Sequence, residues 1–399
     1  MNKSNSNNEF DFFLFMLYNY IKGEIMFGLY VHVPFCRHIC HYCDFYKMVV
    51  SDSLKEKVIN NIIEEINIRN IKQYNIETIY IGGGTPSCLP YYILEKLLKT
   101  IENNVNIQQI KEYTIEINPE DINEKIVELI SKYHITRVSI GIQSFNKNII
   151  NKLGRIPYVT EAEIKEKIEL LNKYHIKNIN LDLIYAVPDQ TMELLKKDLE
   201  VITKLNITHI STYSLILEEH TIYDHLYNNG KLELINEDLD LLMYNEIRDY
   251  LSNCGFIQYE ISNFSRYGYQ SLHNMNYWLN GEYLGIGPSA SSHIENKRFT
   301  NIKNLNLYFD GIKNNHFIYD EEIELFEHDI YVDEIMLGLR LTKGVSIDDF
   351  TNKYGKNIFD LFPKLQTLID RKLLEIKDGY IRIPKEHTYI SNYILVKIF

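Results

Sequence analysis

From Phe27 onward, short runs of β-branched and aromatic residues alternate with longer charged stretches that carry apolar residues at helical spacing. This is the pattern of parallel strands joined by crossover helices. Six strand segments recur: Gly28–Val33, Thr78–Gly82, Tyr113–Ile117, Arg137–Ile142, Asn178–Ile184 and His209–Leu215. Between the first two, Leu54, Val58, Ile62, Ile66 and Ile68 stand among Lys, Glu and Asn, an approximate stripe that predicts the first covering helix over residues 53–72. Six such βα units build either a doubly wound sheet or a partial TIM-like barrel, and in both the chemistry gathers in loops at the carboxyl ends of the strands. The pattern alone does not separate the two.

After about Leu217 the rhythm changes. NCGFIQYEISNF and HNMNYWLNGEYLGIGPSASS are dense in Gly, Asn, Ser and aromatics and read as loops and short strands. From Glu321, a helical EIMLGLRL, the segment GVSIDDFTNKYG, a Leu-rich helix near Leu361–Ile369 and a hairpin turning at Asp378–Gly379 predict a small winged-helix-like domain. The chain therefore divides into a poorly patterned extension (1–25), an α/β core (26–265), a linking region (266–320) and a C-terminal domain (321–399). The extension opens with MNKSNSNN and reads as a disordered head or a misassigned start before Met26.

Composition narrows the classes. The 399 residues are 45% hydrophobic, enough for one large domain and a smaller one. A formal net charge of -12 excludes nucleic acid as the main partner, because backbone affinity depends on releasing counterions to Lys and Arg. The 31 tyrosines accompany abundant Asn, Ile and Lys and are read as compositional bias. The apolar run Phe12–Tyr18 is too short for a membrane span of ~20 residues and has no signal-peptide flanks. Of the 5 cysteines, Cys36, Cys40 and Cys43 crowd into one short segment, unlike a secreted disulfide framework, so the chain is expected to be cytoplasmic and unprocessed.

Those three cysteines follow the first strand directly, so three thiolates project from one loop at a strand end and leave a fourth metal position open. A zinc site completed by His32, His38 or His41 is the rival reading; Cys88 and Cys254 lack paired spacing. A second motif, Ile81-Gly82-Gly83-Gly84-Thr85-Pro86, closes the second strand, where consecutive glycines let backbone approach a ligand; by itself it is only a turn. Glu116, Gln143 and Asp182 are polar residues within apolar strands, where an unsatisfied group costs energy unless something bonds it. His273, Tyr277 and Trp278 put an imidazole beside two aromatics, a possible axial nitrogen and wall for a porphyrin or simply a satisfied core histidine.

Together, C-x3-C-x-Y-C after the first strand and GGGTP after the second resemble the radical SAM superfamily. The resemblance implies that Cys36, Cys40 and Cys43 hold a 4Fe–4S cluster whose open iron binds S-adenosylmethionine (SAM), and that Gly83, Gly84 and Thr85 contact the methionine amino group. The later segments TIEINP, RVSIGIQSF, LGR and NLDLIYAVP are similar to the oxygen-independent coproporphyrinogen III oxidase-like branch. That likeness assigns Glu116, Gln143, Arg155 and Asp182 to the SAM pocket, with Tyr30 and Tyr42 beside the cluster. Residues 259–288, with HNMNYW, resemble the HemW heme chaperones, whose HNxxYW motif is linked to heme, so His273 is carried over as heme ligand or contact. The implied fold is a partial (β/α)6 TIM-like barrel with the small C-terminal domain. The implied function is to bind heme and pass it to an unidentified acceptor protein, with a low-potential electron donor serving the cluster. The rival is an oxygen-independent coproporphyrinogen III dehydrogenase, but such oxidases extend the motif to C-x3-C-x2-C-x-C and this chain has Phe45 there. Ala186 and Ser289 stand where the family usually has glycine, and Ser291 where it has histidine.

Overall fold

A computed structural model describes residues 25–399 of the protein; the expected N-terminal extension lies almost wholly outside the described residues. Strand β1 (Phe27–Val33) shows how the barrel is written in the sequence. Leu29, Val31 and Val33 are fully buried against the helices, while Gly28, Tyr30 and His32 alternate with them and face the other way, as the two-residue repeat of a strand requires. The same alternation runs through β2 (Ile76–Gly83), β3 (Glu112–Ile117), β4 (Arg137–Gln143), β5 (Asn178–Tyr185) and β6 (His209–Ser214). On the helix side stand Ile79, Ile81, Tyr113, Ile115, Val138, Ile140, Ile179, Leu181 and Ile210, all fully buried. The inner face is polar: Thr78, Tyr80, Glu112, Glu116, Arg137, Ser139, Asn180, Asp182, His209 and Ser211.

The helices cover only the apolar face. The first, α1 (Asp52–Ile68), buries Val58, Ile59, Ile62 and Ile66 at three- and four-residue spacing. Helices α2 (Tyr91–Asn103), α3 (Glu124–Lys132), α4 (Glu161–Lys173) and α5 (Met192–Lys204) follow in turn. Asn123 caps α3, Thr160 closes a capping box on α4 and Thr191 caps α5, each giving a side-chain oxygen to an otherwise unpaired amide.

Strand order decides between the two folds. Strands β1 to β6 are all parallel and adjacent in sequence order, whereas a doubly wound sheet grows in both directions from its first strand. Growth in one direction puts every crossover on one side and curls the polar face into a lumen, the partial (β/α)6 barrel. On the β6 edge, the antiparallel β8 (Asn263–Ser265) and β7 (Ile257–Gln258) continue the sheet.

Residues 266–320, read as a linking region with the HNMNYW segment, contribute further strands to this sheet. β9 (Tyr283–Ile286) runs parallel beside β1, and β10 (Ser291–Ile294), β11 (Lys297–Asn301) and β12 (Tyr319–Glu324) follow as an antiparallel ribbon. Before β9 the short helix Leu272–Trp278 crosses beneath β1 and β2. The C-terminal unit has its own core of Tyr331, Ile335, Phe350, Leu365, Ile381 and Ile394. It joins helices Glu327–Gly338, Ile347–Tyr354 and Lys364–Asp370 to a three-stranded sheet of β13 (Val345–Ser346), β15 (Tyr380–Arg382) and β14 (Glu375–Lys377). The expected hairpin turn is present: Asp378 (φ 52°) and Gly379 (φ 80°) both take left-handed backbone, as a two-residue hairpin loop demands.

Candidate functional site

The cysteine loop is fastened at both ends. After β1, Cys36 N donates to Met48 O at 3.0 Å and Met48 N to Pro34 O at 2.8 Å, so residues 36–48 leave and return at one point. The glycine-rich turn braces that point from below. Gly84 N donates to Val33 O at 2.9 Å and Thr85 N to Phe35 O at 2.6 Å. A Cβ on Gly84 would stand 2.5 Å from Phe35 O, which only a glycine avoids. Gly83 takes φ +108° against the His32 ring, and a Cβ on Gly82 would strike Tyr80 and Glu116 at 2.8 Å. The three glycines therefore serve three separate close approaches.

Cys36, Cys40 and Cys43 are free and partly buried. Burial pushes the Cys36 thiol up to about 11, Thr85 offsets part of this, and Cys43 and Cys40 raise it further, so the three sulfurs lie within charge range of one another. A metal that binds thiolate relieves this cost. Among the described residues no three His, Cys, Asp or Glu side chains converge as they would on one ion; an iron–sulfur cluster instead takes its thiolates at separate irons. Two of the three histidines of the zinc reading, His32 and His41, are engaged elsewhere. His32 spends both ring nitrogens on Tyr30 OH and Tyr46 O, each at 2.9 Å, and His41 Nδ1 meets Lys152 O at 2.8 Å. The donor set fits a three-cysteine cluster. Cys88 lies within charge range of Cys36 but is buried in the main core, and Cys254 ends the helix Glu237–Asn253.

Beside this loop, the strand ends bring together the other expected residues. Tyr80 OH donates to Glu116 Oε1 at 2.7 Å and Gly83 N to Oε2 at 3.2 Å. Burial nevertheless raises the Glu116 carboxyl to about 7, with Asp182 adding to the rise. Asp182 is itself raised by burial although Asn180 Nδ2 donates to it at 2.8 Å. Gln143 ends β4 at φ 68°, where the β4–β5 register slips, a bulge that turns its side chain at the lumen rim. Arg155 donates to Asn118 Oδ1 at 2.7 Å and stands within charge range of Tyr42, Cys40, Glu120 and Asp182. Two reluctant carboxylates, an amide and a guanidinium thus face one space beside three thiols. They suit a ligand carrying both ammonium and carboxylate groups, whose positive end would favour ionised Glu116 and Asp182.

His273 is placed differently. It lies at the amino end of the lumen with 1% exposure, its Nδ1 against Thr78 Oγ1 at 2.9 Å and its Nε2 against Tyr277 OH at 2.7 Å. Burial, with Arg137 nearby, lowers its pKa to about 3, so the ring is neutral. Glu112 accepts from the amides of Leu272 and His273 and from Ser271 Oγ, anchoring the helix start to β3. In this conformation both ring nitrogens are occupied, and the imidazole holds the barrel floor.

Residues 30–202 match the Radical SAM superfamily and residues 325–386 the HemN C-terminal domain. "Heme chaperone HemW" of Lactococcus lactis subsp. lactis (strain IL1403) is 38% identical over 346 residues, which are 86% of this chain and 90% of that protein. The chain belongs to the HemW family. Its Bacillus subtilis (strain 168) relative, also a "Heme chaperone HemW", is 32% identical across 92% of this chain and 98% of its own length. The fold matches Escherichia coli coproporphyrinogen III oxidase (HemN), a radical SAM enzyme, with TM-score 0.81 at 21% identity, covering 96% of this chain and 92% of that one. Membership of the radical SAM superfamily implies a 4Fe–4S cluster and SAM, and the cysteine loop fits the former.

The two glycine departures of this HemW-family chain have a structural reading. Ala186 (φ 57°) and Ser289 (φ 66°) both take left-handed backbone, which glycine adopts freely and other residues at a cost of about 1 kcal/mol or more. Ser291 faces solvent and meets Thr300 Oγ1 at 2.9 Å. Sequence reasoning missed Tyr80, Asn180, Glu112 and Arg137. Stepping by two residues along each strand from Glu116 and Asp182 would have found Glu112 and Asn180. Asn118, the partner of Arg155, needed the loop geometry.

Proposed function

We propose that this protein is a heme chaperone of the cytosol, which binds heme and passes it to an acceptor protein. A 4Fe–4S cluster on Cys36, Cys40 and Cys43 supports the role, with SAM held by Glu116, Gln143, Arg155, Asp182 and the Gly83–Thr85 turn, Tyr30 and Tyr42 standing beside them. A low-potential donor would serve the cluster. The observation that carries this reading is 38% identity over nine-tenths of a protein named for that role. Phe45 supports it too: it occupies the position where the oxidases would add a cysteine, and it is 65% exposed. Among the described residues no helix is long and apolar enough to cross a membrane. His273 would ligate heme only in a state that opens its bonds to Thr78 and Tyr277. The test is anaerobic purification followed by heme titration and an assay for coproporphyrinogen III consumption with SAM and a reductant. Heme binding without consumption is expected. Conversion to protoporphyrinogen IX would assign the protein to the dehydrogenases instead.

A further inference from the structure

The motif helix Leu272–Trp278 has two faces, and only one belongs to the barrel. On the barrel side stand His273 and Asn276, the latter accepting from Met26 N at 2.9 Å and donating to Glu282 O at 3.0 Å. The opposite face presents Met275, Trp278 and the following Leu279 to a cavity of about 430 Å³, walled across from them by Leu341, Val345 and Phe350 of the C-terminal unit. The indole Nε1 of Trp278 is buried without a hydrogen-bond partner. Arg340 stacks on that indole at 4.7 Å, with its own Nε also buried and unpartnered.

A second cavity of about 360 Å³ shares Leu341 and Thr342 with the first as a common wall. Its lining gathers Arg248, Arg340, Arg382 and Lys385 over an apolar floor that includes Phe256 and Ile383, and contains no acidic residue. Exposed Asp249 pairs with Arg248 and Lys385, Glu375 with Arg382, and Glu260 lies within charge range of Arg340. Four cations against these three carboxylates leave the hollow with a small positive excess in a chain of net charge -12. Each cavity is within the usual size of small-molecule sites; the first sets its apolar wall beside Glu334, Asp349, Lys343 and Lys353, and the second is lined by cations with no carboxylate.

We infer that this junction seats a flat, amphiphilic dicarboxylate: the heme ring lies along Trp278 and Met275, and its two propionates point toward Arg340 and the neighbouring cations. The inference rests on the heme reading above and moves the resting heme site from the His273 face of the motif helix to its other face. Guanidinium groups suit the task because they stay charged and bond carboxylates in pairs.

The experiment titrates heme and its propionate dimethyl ester, anaerobically, into the cluster-loaded wild type, Arg340→Gln and the double variant R382Q/K385Q, read at the Soret band. Each variant should bind heme about tenfold or more weakly, the loss expected for a charge-assisted hydrogen bond, and bind the ester as the wild type does. Iron content and the SAM-induced spectral change report that the barrel is intact; if Arg340→Gln fails this control, the double variant decides, since its residues lie away from the indole. Equal heme affinity in the wild type and the double variant would overturn the inference and leave the chaperone reading standing. A wild type that binds no heme would overturn the chaperone reading and this site with it.

Discussion

Replacing Gly84 with alanine tests whether the glycine turn holds the cysteine loop. The added methyl would meet three backbone atoms of Phe35, at 2.5, 2.6 and 2.8 Å. Backbone cannot rotate aside, so the two loops must part by roughly 1 Å before ordinary contact is restored. Such parting breaks the bonds Gly84 N to Val33 O and Thr85 N to Phe35 O, each worth about 1 kcal/mol net. Overpacking itself costs about 1–3 kcal/mol. The sum, about 3–5 kcal/mol, is a large part of typical domain stability, and it falls on the residue preceding Cys36. Gly84 does not take a left-handed φ, so the effect is steric. Gly355→Ala is the control: φ is +64° but nothing lies within 4 Å of the added methyl, so only about 1 kcal/mol of backbone strain is expected there. Iron per chain after anaerobic reconstitution and the urea midpoint of the cluster-free protein are the measurements. Gly84→Ala should lose most of its iron and unfold at lower urea, and Gly355→Ala should keep its iron. A Gly84→Ala protein with wild-type iron and midpoint would refute the bracing argument.

Alanine at Cys36, Cys40 or Cys43 should each abolish the cluster absorbance, whereas Cys88→Ala and Cys254→Ala should retain full iron content. His273→Ala leaves the hydroxyls of Thr78 and Tyr277 without their partner, so thermal unfolding should show a loss of about 2–4 kcal/mol; an unchanged midpoint would remove its structural role. Because Glu116 titrates near 7 in the fold against 4.5 for a free carboxyl, the folded state binds its proton more tightly than the unfolded chain does. Its contribution is therefore fully favourable below about 4.5 and is lost as pH rises through 7, and Glu116→Gln should flatten that decline in a pH series of urea midpoints. Ala186→Gly should relieve left-handed strain and raise the unfolding free energy by up to about 1 kcal/mol; a lowered urea midpoint would contradict it.

Much of the barrel is legible in the chain because its signals are local. A strand that is apolar on one side and polar on the other must alternate, so the six expected strands match the observed ones to within two residues, and Glu116 and Asp182 stand out as polar positions among apolar neighbours. The spacing of Cys36, Cys40 and Cys43 on one loop is likewise a property of consecutive residues. Strand order is not: the same βα alternation serves a doubly wound sheet, and only hydrogen bonding between residues distant in sequence makes β1 to β6 neighbours in turn. The short segments of residues 266–320 carry too few residues for a clear repeat, and β9 gains its place from the exposed edge of β1. His273 is the sharpest case. Its sequence neighbours Tyr277 and Trp278 indicate an aromatic helix, but which side of that helix meets the barrel depends on Glu112 and Thr78, more than a hundred residues away. Tertiary packing turned the imidazole inward to two hydroxyls and left Met275 and Trp278 facing the cavity.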